Sequence, residues 1–377
     1  MSTPFPCFEE HAVPPNETSR LQMQNALRSA AEATETTHDL MLRFFNMQLE
    51  LTVARIGCDI GLFRILSESE EPLSVDTVAE RTGAAPSLLR RLLRYLASMR
   101  QVTETSKDHF KGNQATNSLA NPTIQDCIYY IFNIGGPVYQ ALPETLKENQ
   151  YNDSSGILAW HRGFNTRLDF FPWAKQHPDH LKWFQSLMSV PREGDWLDVF
   201  SVPSLAQSFA TDQVLFVDVG GNLGHQSARL RSRYPDLPGR IIVQDLPETI
   251  QNAPVVDGVE LMAHNFFEPQ PIIGAKVYYL RTVLHDWDDE KALVILGRLV
   301  PAMNAESLIL IDDMAVPDTG AHWWSACLDL HMLAVLGAHE RTESQWRELL
   351  VQAGLRLISI RPYHPTMRHS IIVGSLP

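Results

Sequence analysis

Residues 214–225 read VLFVDVGGNLGH, and this stretch decides the fold of the C-terminal half of the chain. The apolar residues of Val214–Val219 predict a buried strand. Gly220 and Gly221 end that strand, and the residues from Gln226 to Arg233 predict the start of a helix. A strand, a tight glycine turn and a helix start suit a nucleotide-like ligand, because glycine allows a close backbone approach and the helix start offers free N–H groups.

Two further strands end in polar residues. The strand Arg240–Gln244 runs into Asp245, a carboxylate where a nucleotide-binding βαβ unit holds a ribose diol. The strand Lys276–Leu280 runs into Arg281–Trp287, which contains an Arg, a His and an Asp. Open α/β sheets bind ligands at the carboxyl ends of their strands, so these residues are predicted to line a site.

The rest of the C-terminal sequence alternates strands with helices. Strands are predicted at Leu308–Ile311, Leu357–Ile360 and Ser370–Val373, and a helix over Asp288–Val300 with Asp288 as its cap. This alternation predicts a doubly wound parallel sheet, and the last two strands are close enough for an antiparallel ending.

The N-terminal part is predicted to be helical. Residues 1 to about 18 are rich in proline and polar residues and predict a loose arm. Helices follow over Ser19–Ser67, where residues 40–60 carry a broad apolar face that needs a partner, either the rest of the domain or a second subunit. Residues 73–112 then show a winged helix-turn-helix pattern: a short helix, a turn at Gly83, a second helix and a hairpin wing.

Composition limits the class of protein. The 377 residues suffice for two domains, and the hydrophobic (44%) and charged (20%) contents are ordinary for a globular protein. The net charge of −13 argues against a nucleic-acid partner, so Arg90, Arg91 and Arg94 of the winged pattern predict a solvated face instead of a DNA contact. No apolar run reaches the length of a membrane span. Residues 1–10 have no basic region and no apolar core, so no secretory signal is expected, and the four scattered cysteines predict reduced thiols in a cytoplasmic protein.

The glycines, Asp245 and Arg281–Trp287, in this order and spacing, resemble the small-molecule O-methyltransferases of the plant caffeate and fungal secondary-metabolite type, which use S-adenosylmethionine. The resemblance covers nearly the whole chain. It implies an α/β fold, in which a C-terminal Rossmann-like class I methyltransferase domain follows an N-terminal α-helical winged-helix dimerisation domain. The implied divisions are a dimerisation domain over 1–120, an aromatic-rich helical substrate lid and linker over 121–212, and the catalytic domain over 213–377. A homodimer that binds a small-molecule substrate is expected.

The resemblance also implies which residues hold the cofactor, S-adenosyl-L-methionine. Gly220 and Gly221 are expected at its amino-acid portion and Asp245 at the ribose. Asn265 and Phe266 are expected at the adenine, and Arg281 near the carboxylate. Two positions depart from the family pattern. Asn222 replaces the usual third glycine, and asparagine is the least costly replacement if a positive φ is needed there. Asn265 stands where Asp is common, although an amide still bonds the adenine amino group.

His285 is the candidate general base for removing the acceptor's hydroxyl proton. An ordinary histidine pKa of about 6.5 suits proton removal near neutrality. The resemblance implies that two acidic residues, Asp313 and Glu340, orient the imidazole. The family usually has Glu at the position of Asp313, so the side chain here is one methylene shorter.

Four residues are predicted to bind substrate. Phe184 and Met188 match a Phe-x-x-x-Met pattern that faces the methyl donor and substrate in the family. Asp329 and Met332 share one face of a predicted helix, and Met332 matches a substrate-facing methionine. The neighbouring His331 points elsewhere by helical spacing and is predicted to be structural. The aromatic residues around Phe184 also suit ordinary core packing.

Other interpretations of these residues stay open. His285 beside Asp286 also suits a structural histidine, and together with Asp288 and Asp289 it suits a metal site. Those carboxylates fit a solvated helix start better, so no metal is expected.

Two other functions compete with methyl transfer. A pericyclase built on the same fold would use the pocket's hydrogen-bond donors, and the departures at Asn222, Asn265 and Asp313 keep this alternative open. The presence of His285 and Glu340 favours methyl transfer. A DNA-binding regulator with a vestigial ligand domain is the third hypothesis.

Overall fold

The structure is a computed structural model that describes residues 17–152, 157–190, 194–206, 209–364 and 368–377. The described residues pack into two compact units. The first unit lies within Met1–Pro137 and Phe171–Pro191, and the second within Val138–Phe170 and Arg192–Pro377. The stretch 121–212 therefore contributes to both units, and the boundaries at residues 120 and 212 stay a prediction. Residues 1–16, most of the predicted arm, lie outside the described residues.

The described helices are α1 (Glu17–Thr34), α2 (Thr37–Asp59), α3 (Leu62–Ser67), α4 (Val75–Thr82), α5 (Pro86–Ser98), α6 (Gln114–Ala120), α7 (Pro122–Tyr130), α8 (Gly136–Glu148), α9 (Ala159–Gly163), α10 (Phe170–Ala174), α11 (Pro178–Ser189), α12 (Trp196–Val199), α13 (His225–Arg233), α14 (Pro247–Asn252), α15 (Asp289–Leu299), α16 (Trp323–Leu336) and α17 (Glu343–Gln352). A π-helical turn, Ile131–Gly135, joins α7 to α8, and 3-10 turns occur at Pro203–Leu205, Leu284–Asp286 and Val300–Ala302. The described strands are β1 (Leu73–Ser74), β2 (Thr103–Ser106), β3 (His109–Lys111), β4 (Val214–Val219), β5 (Arg240–Asp245), β6 (Glu260–Ala263), β7 (Val277–Arg281), β8 (Leu308–Met314), β9 (Arg356–Pro362) and β10 (His369–Ser375).

The first unit contains the predicted winged helix-turn-helix. The hydroxyl of Ser74 caps α4 by accepting a hydrogen bond from the backbone N–H of Thr77 at 3.1 Å, and Gly83 ends the helix with a φ of +72°. Strands β1, β3 and β2 pair antiparallel in that order and form the wing. The second helix, α5, buries one leucine face, made of Leu89, Leu92, Leu93 and Leu96.

Helix α2 buries only part of its apolar surface. A capping box between Thr36 and Asp39 fixes its start, and Val53, Ala54 and Cys58 near its end lie in the core of the first unit. The N-terminal half of α2 exposes large apolar side chains, among them Phe45, which is 79% exposed. Several exposed large apolar side chains close together on one helix are typical of a protein interface.

Within the described ranges, seven strands of the second unit form one sheet in the order β6-β5-β4-β7-β8-β10-β9. The pairs from β6 to β8 are parallel, whereas β10 is antiparallel to β8 and β9. The doubly wound sheet with an antiparallel ending is thereby confirmed. The strand order reverses at β4, so the carboxyl ends of β4, β5 and β7 meet at the switch point where such sheets bind ligands.

Both faces of the central strands are covered, which explains their continuous apolar sequences. Val217 and Leu280 pack on one face with Trp346, and Phe216 packs on the other face with Trp196. The sequence did not indicate β6, because this short edge strand has no buried run. Among helices of the described residues, none combines the length and apolar character that crossing a bilayer requires.

Candidate active site

The glycine turn after β4 has no room for side chains. Gly220 has a φ of +69°, and a Cβ on it would lie 3.0 Å from Cγ2 of Val283 and 3.5 Å from the ring of Phe266. A Cβ on Gly221 would lie 2.6 Å from Cγ of Asp218, well inside contact distance. Any side chain at Gly221 would therefore displace the carboxylate below it, and the backbone stays open to a ligand.

Asp218 lies beneath this turn and was not predicted as a site residue from the sequence. Its carboxylate is buried and accepts a hydrogen bond from Oγ of Ser227 at 2.8 Å. Burial raises the pKa of Asp218 to about 6, although the Ser227 hydrogen bond opposes the shift. The available signal was a lone carboxylate inside the apolar run of β4.

Asp245 ends β5 with its carboxylate fixed by two backbone donors. Oδ2 accepts from the N–H of Asn222 and Oδ1 from the N–H of Leu246, both at 2.8 Å. Asn222, which replaces the usual third glycine of the family, has a φ of +52°. This position therefore has the positive φ that asparagine tolerates. Each carboxylate oxygen has two lone pairs, so Asp245 keeps acceptor capacity for a hydroxyl pair.

Asn265 and Phe266 lie in the turn after β6. Oδ1 of Asn265 accepts from the backbone N–H of Phe267 at 3.1 Å, which fixes the turn. The ring of Phe266 contacts the Gly220 turn and lies edge-on to Trp287, with ring centroids 6.3 Å apart. The predicted adenine residue and the glycine turn are therefore neighbours.

Arg281 ends β7 in an ion pair that the sequence analysis missed. Its Nη1 donates to Oδ2 of Asp312 at 2.6 Å, and the hydroxyl groups of Tyr279 and Tyr363 donate to the same carboxylate at 2.5 and 2.6 Å. Asp312 is fully buried. Arg281 is thus held rigidly at the strand end, while its role toward a cofactor carboxylate stays a prediction.

His285 and Glu340 form the central pair of the site. Nδ1 of His285 lies 2.9 Å from Oε1 of Glu340, a distance at which the ring N–H donates to the carboxylate. That bond leaves Nε2 on the other side of the ring, 3.5 Å from Oδ1 of Asp286. The structure therefore brings His285 and Glu340 together, with Nδ1 toward Glu340 and Nε2 toward Asp286. The role of His285 as general base stays a prediction.

Asp313 completes a cluster of carboxylates around the imidazole. Neither of its oxygens has a hydrogen-bond partner among the described residues, and the side chain is fully buried in β8. Burial raises the pKa of Asp313 to about 7, against the opposing charge of His285. Burial alone would lower the pKa of His285, but the charges of Glu340, Asp313 and Asp286 raise it to about 10.

Asp329, predicted to bind substrate, holds the backbone of Glu340. Its Oδ1 accepts from the backbone N–H of Glu340 at 2.8 Å. Met332 lies further along α16 and is buried. His331 hydrogen-bonds the hydroxyl of Tyr139 through Nδ1 at 2.8 Å, and burial lowers its pKa to about 4. Substrate binding by Asp329 and Met332 stays a prediction.

Phe184 and Met188 lie on α11 in the first unit. The ring of Phe184 packs near Tyr130 and Phe171, with centroids 6.2 and 5.8 Å apart. Met188 is 48% exposed. Their role as substrate contacts stays a prediction. Across the described part of the chain, no three His, Cys, Asp or Glu side chains are grouped to hold a metal ion.

The sheet, its switch point and the residues gathered there define a nucleotide-binding α/β enzyme. A family model for the O-methyltransferase domain matches residues 169–356, and one for the O-methyltransferase dimerisation domain matches residues 42–122. Demethylsterigmatocystin 6-O-methyltransferase of Aspergillus parasiticus is 39% identical over 362 residues, 95% of this chain and 94% of that protein. The chain therefore belongs to the S-adenosylmethionine-dependent O-methyltransferase family.

Other relatives agree with this membership. The O-methyltransferase lepI of Aspergillus flavus is 38% identical over 364 residues, 95% of this chain and 94% of that protein. A solved structure of LepI in complex with SAM is 38% identical, has a TM-score of 0.89 and covers 96% of this chain and 95% of its own. A solved structure described as a pericyclic reaction enzyme, also 38% identical, has a TM-score of 0.88 over the same shares. The family resemblance, the fold class and the S-adenosylmethionine cofactor predicted from the sequence are confirmed.

Proposed function

We propose that this protein transfers a methyl group from S-adenosylmethionine to a hydroxyl group of a small aromatic or polyketide-type metabolite, with His285 as general base. One observation carries the proposal: His285, paired with Glu340 at 2.9 Å, lies in the loop after β7, where Val283 packs against the glycine turn. The named activity of the A. parasiticus relative supports the acceptor class.

The residues of the turn fit the cofactor. There is no room for a side chain at Gly221, which suits a nucleotide that approaches the backbone. The carboxylate of Asp245 is held in place by a backbone N–H, which suits hydrogen bonds to a ribose diol. Gly220 and Gly221 would face the amino-acid portion, and Asn265 with Phe266 the adenine. Arg281 would lie near the carboxylate. S-adenosylmethionine, when bound, supplies an electrophilic methyl group on a sulfonium.

The protein's own part is to place and deprotonate the acceptor. Glu340 holds the Nδ1 hydrogen, so Nε2 is the atom that accepts the hydroxyl proton. A phenolic hydroxyl has a pKa of about 10, and the carboxylates around His285 raise its pKa to about 10 as well. Only the neutral form of His285 accepts a proton, and the fraction of this form rises with pH toward 10. From that form, proton transfer from a phenol of equal pKa has no large energetic cost, which favours a phenolic acceptor.

The proposal is tested by binding and turnover together. Calorimetry should detect S-adenosylmethionine binding, and incubation with methyl-labelled cofactor and a panel of phenols and polyketide-type aromatics should give a labelled product and an equal amount of S-adenosylhomocysteine. A calorimetric titration without binding would overturn the proposal.

A second candidate is a pericyclase on this fold. Two observations favour it: the likeness to the solved pericyclic reaction enzyme, and the charged imidazolium that a pKa of about 10 leaves at neutral pH. An imidazolium donates a hydrogen bond to a substrate carbonyl and so promotes bond reorganisation. This alternative predicts product formation without release of S-adenosylhomocysteine; stoichiometric release would exclude it.

Asp245→Asn is expected to weaken cofactor binding about 10-fold or more, since a hydrogen bond to a charged group contributes about 1.5–3 kcal/mol and 1.4 kcal/mol is one decade. The dissociation constant of S-adenosylhomocysteine, measured by calorimetry, reports the change. Asp236→Asn, at an exposed position before β5, is the matched control. Equal affinities in the two variants would contradict the ribose assignment.

We further propose a homodimer formed through the N-terminal domain. The exposed apolar half of α2 and the dimerisation-domain match support it. Light scattering should give about twice the chain mass of 42.6 kDa, and Phe45→Glu should lower that mass toward the monomer. A monomeric wild-type protein would contradict it. A cytoplasmic location stays a prediction from the sequence.

A further inference from the structure

We propose that Arg341 is a positioning residue that clamps the loop carrying His285. Its guanidinium binds the backbone on both sides of the histidine, while the preceding residue, Glu340, binds the imidazole ring. The inference rests on the proposed role of His285 as general base. No role was predicted for Arg341 from the sequence.

The contacts of Arg341 surround the loop. Nη1 donates to the carbonyl oxygen of Leu284 at 2.8 Å, and Nη2 donates to that of Trp287 at 2.9 Å. Leu284 precedes His285, and Trp287 follows Asp286. Nε donates to Oδ1 of Asp289, the first residue of α15, at 2.8 Å. The side chain of Arg341 is 0% exposed, whereas that of Asp289 is 56% exposed, so the bonds to the two carbonyl oxygens are better shielded from water than the bond to Asp289.

The loop needs such support because its own backbone bonds are weak. It is a single 3-10 turn, closed by N–H groups of Asp286 and Trp287 that lie 3.3 Å from the carbonyl oxygens of Val283 and Leu284. These distances lie beyond the usual range for an N–H···O bond. Thr282, just before the turn, has a φ of +47°. The shorter bonds from Arg341 therefore hold the turn from outside.

The segment that supplies the clamp is itself anchored. The N–H of Glu340 is held by Asp329, and the carbonyl oxygen of Arg341 accepts from the N–H of Val316 at 3.0 Å. The side chains of Glu340 and Arg341 go to different parts of the same loop, the ring and the backbone. One dipeptide therefore holds both the imidazole ring, through Glu340, and the backbone around it, through Arg341.

The chemistry of the clamp requires an arginine. A guanidinium donates in several fixed directions at once, whereas an ammonium is a compact point charge on a flexible stem. Lysine at this position would keep the charge beside Asp289 but would not reach both carbonyl groups in line. Arg341 also lies over the ring of Trp346, at 5.2 Å from its centroid, within the range of a cation–π contact.

The variant Arg341→Lys tests whether Arg341 positions His285 or only stabilises the fold. We expect kcat to fall about 10-fold or more, as for a small misplacement of a catalytic group, with acceptor KM and cofactor affinity within about threefold. Because a looser Glu340 contact raises the pKa of His285 less, the pH dependence of kcat/KM should also shift toward acid. Arg240→Lys, which changes an exposed arginine paired with Glu260, is the matched control and should leave kcat and the profile unchanged.

A second readout does not depend on methyl transfer. The titration of the His285 ring nitrogens, followed by NMR in wild type and Arg341→Lys, should show a lower pKa in the variant. If wild type transfers no methyl group and the titration still shifts, the proposed function fails and the clamp stands. If wild type is active and both kcat and the titration are unchanged in Arg341→Lys, the clamp is wrong.

Asp289→Ala keeps the proposal testable if Arg341→Lys does not fold. It removes the acceptor of Nε and leaves both carbonyl bonds, so the guanidinium stays in place with more freedom. A fall in kcat of about 3-fold together with a smaller acid shift of the His285 titration would support the clamp. Wild-type kcat and titration in this variant would overturn it.

Discussion

His285→Gln is expected to lower kcat by about 10²-fold or more, the contribution that a positioned general base typically makes. Glutamine keeps a donor within reach of Glu340 and nearly fills the space of the ring, but its amide does not take up a proton. The glycine turn and Asp245 are untouched, so the dissociation constant of S-adenosylmethionine should change by less than about threefold. Single-turnover assays with saturating cofactor, combined with calorimetry, give both quantities.

The matched control is His109→Gln at the start of β3 in the wing, where the side chain is exposed and Nδ1 hydrogen-bonds the carbonyl oxygen of Lys107. It should retain wild-type kcat. Undiminished turnover in His285→Gln would remove His285 as the base and would favour the pericyclase hypothesis only if S-adenosylhomocysteine were also absent.

Glu340→Gln is expected to lower kcat about 10²-fold, because the charge that stabilises the imidazolium and fixes its tautomer is lost. It should also shift the pH dependence of kcat/KM toward acid. His285 accepts a proton only when neutral, so the rate rises as pH passes through its pKa. Glu340 contributes the largest of the charges that raise this pKa to about 10. Without that charge the rise occurs at lower pH.

The His285–Glu340 pair also makes the unfolding free energy depend on pH, with more stabilisation at low pH. The pKa of His285 in the folded protein, about 10, exceeds its ordinary value of 6.5, so the stabilisation is fully present below pH 6.5 and is lost as pH rises through 10. The unfolding free energy of wild type should therefore exceed that of Glu340→Gln by more at pH 6 than above pH 10.

Glu343→Gln provides the control for both measurements. Glu343 carries an exposed carboxylate that pairs with Arg368 at 3.1 Å. It should leave the pH dependence of the rate and of the unfolding free energy unchanged. If the pH dependence of kcat/KM in Glu340→Gln equals that of wild type, Glu340 does not set the pKa of His285.

The sequence revealed the parts of the site that are local. An apolar run followed by Gly220 and Gly221 predicts a strand and a turn from neighbouring residues alone, and the structure has β4 with the predicted bounds. Asp245 and His285 were found because each follows a strand, and parallel strands end at one edge. Asn222 was recognised as a position for a positive φ because asparagine tolerates it best.

The sequence did not reveal contacts between distant segments. Arg341 lies more than 50 residues from the loop that it binds, and no local pattern distinguishes a clamp from a surface arginine. Asp312 and Asp313 are adjacent in sequence, yet one meets Arg281 and the other joins the His285 cluster. Only the pairing of β8 with its neighbours decides which aspartate goes where.

Strand β8 gives that pairing a further consequence. Asp312 lies opposite Arg281 in β7 and Ile371 in β10, and consecutive residues of a strand point to opposite faces. A slip of one residue would exchange the two aspartates, leaving the guanidinium without its counter-ion and moving the other carboxylate away from the imidazole. Strand β10 carries none of the predicted catalytic side chains, but its pairing with β8 fixes which face each aspartate occupies. Truncating the chain before β10 would therefore let Asp312 and Asp313 lose their positions beside Arg281 and His285.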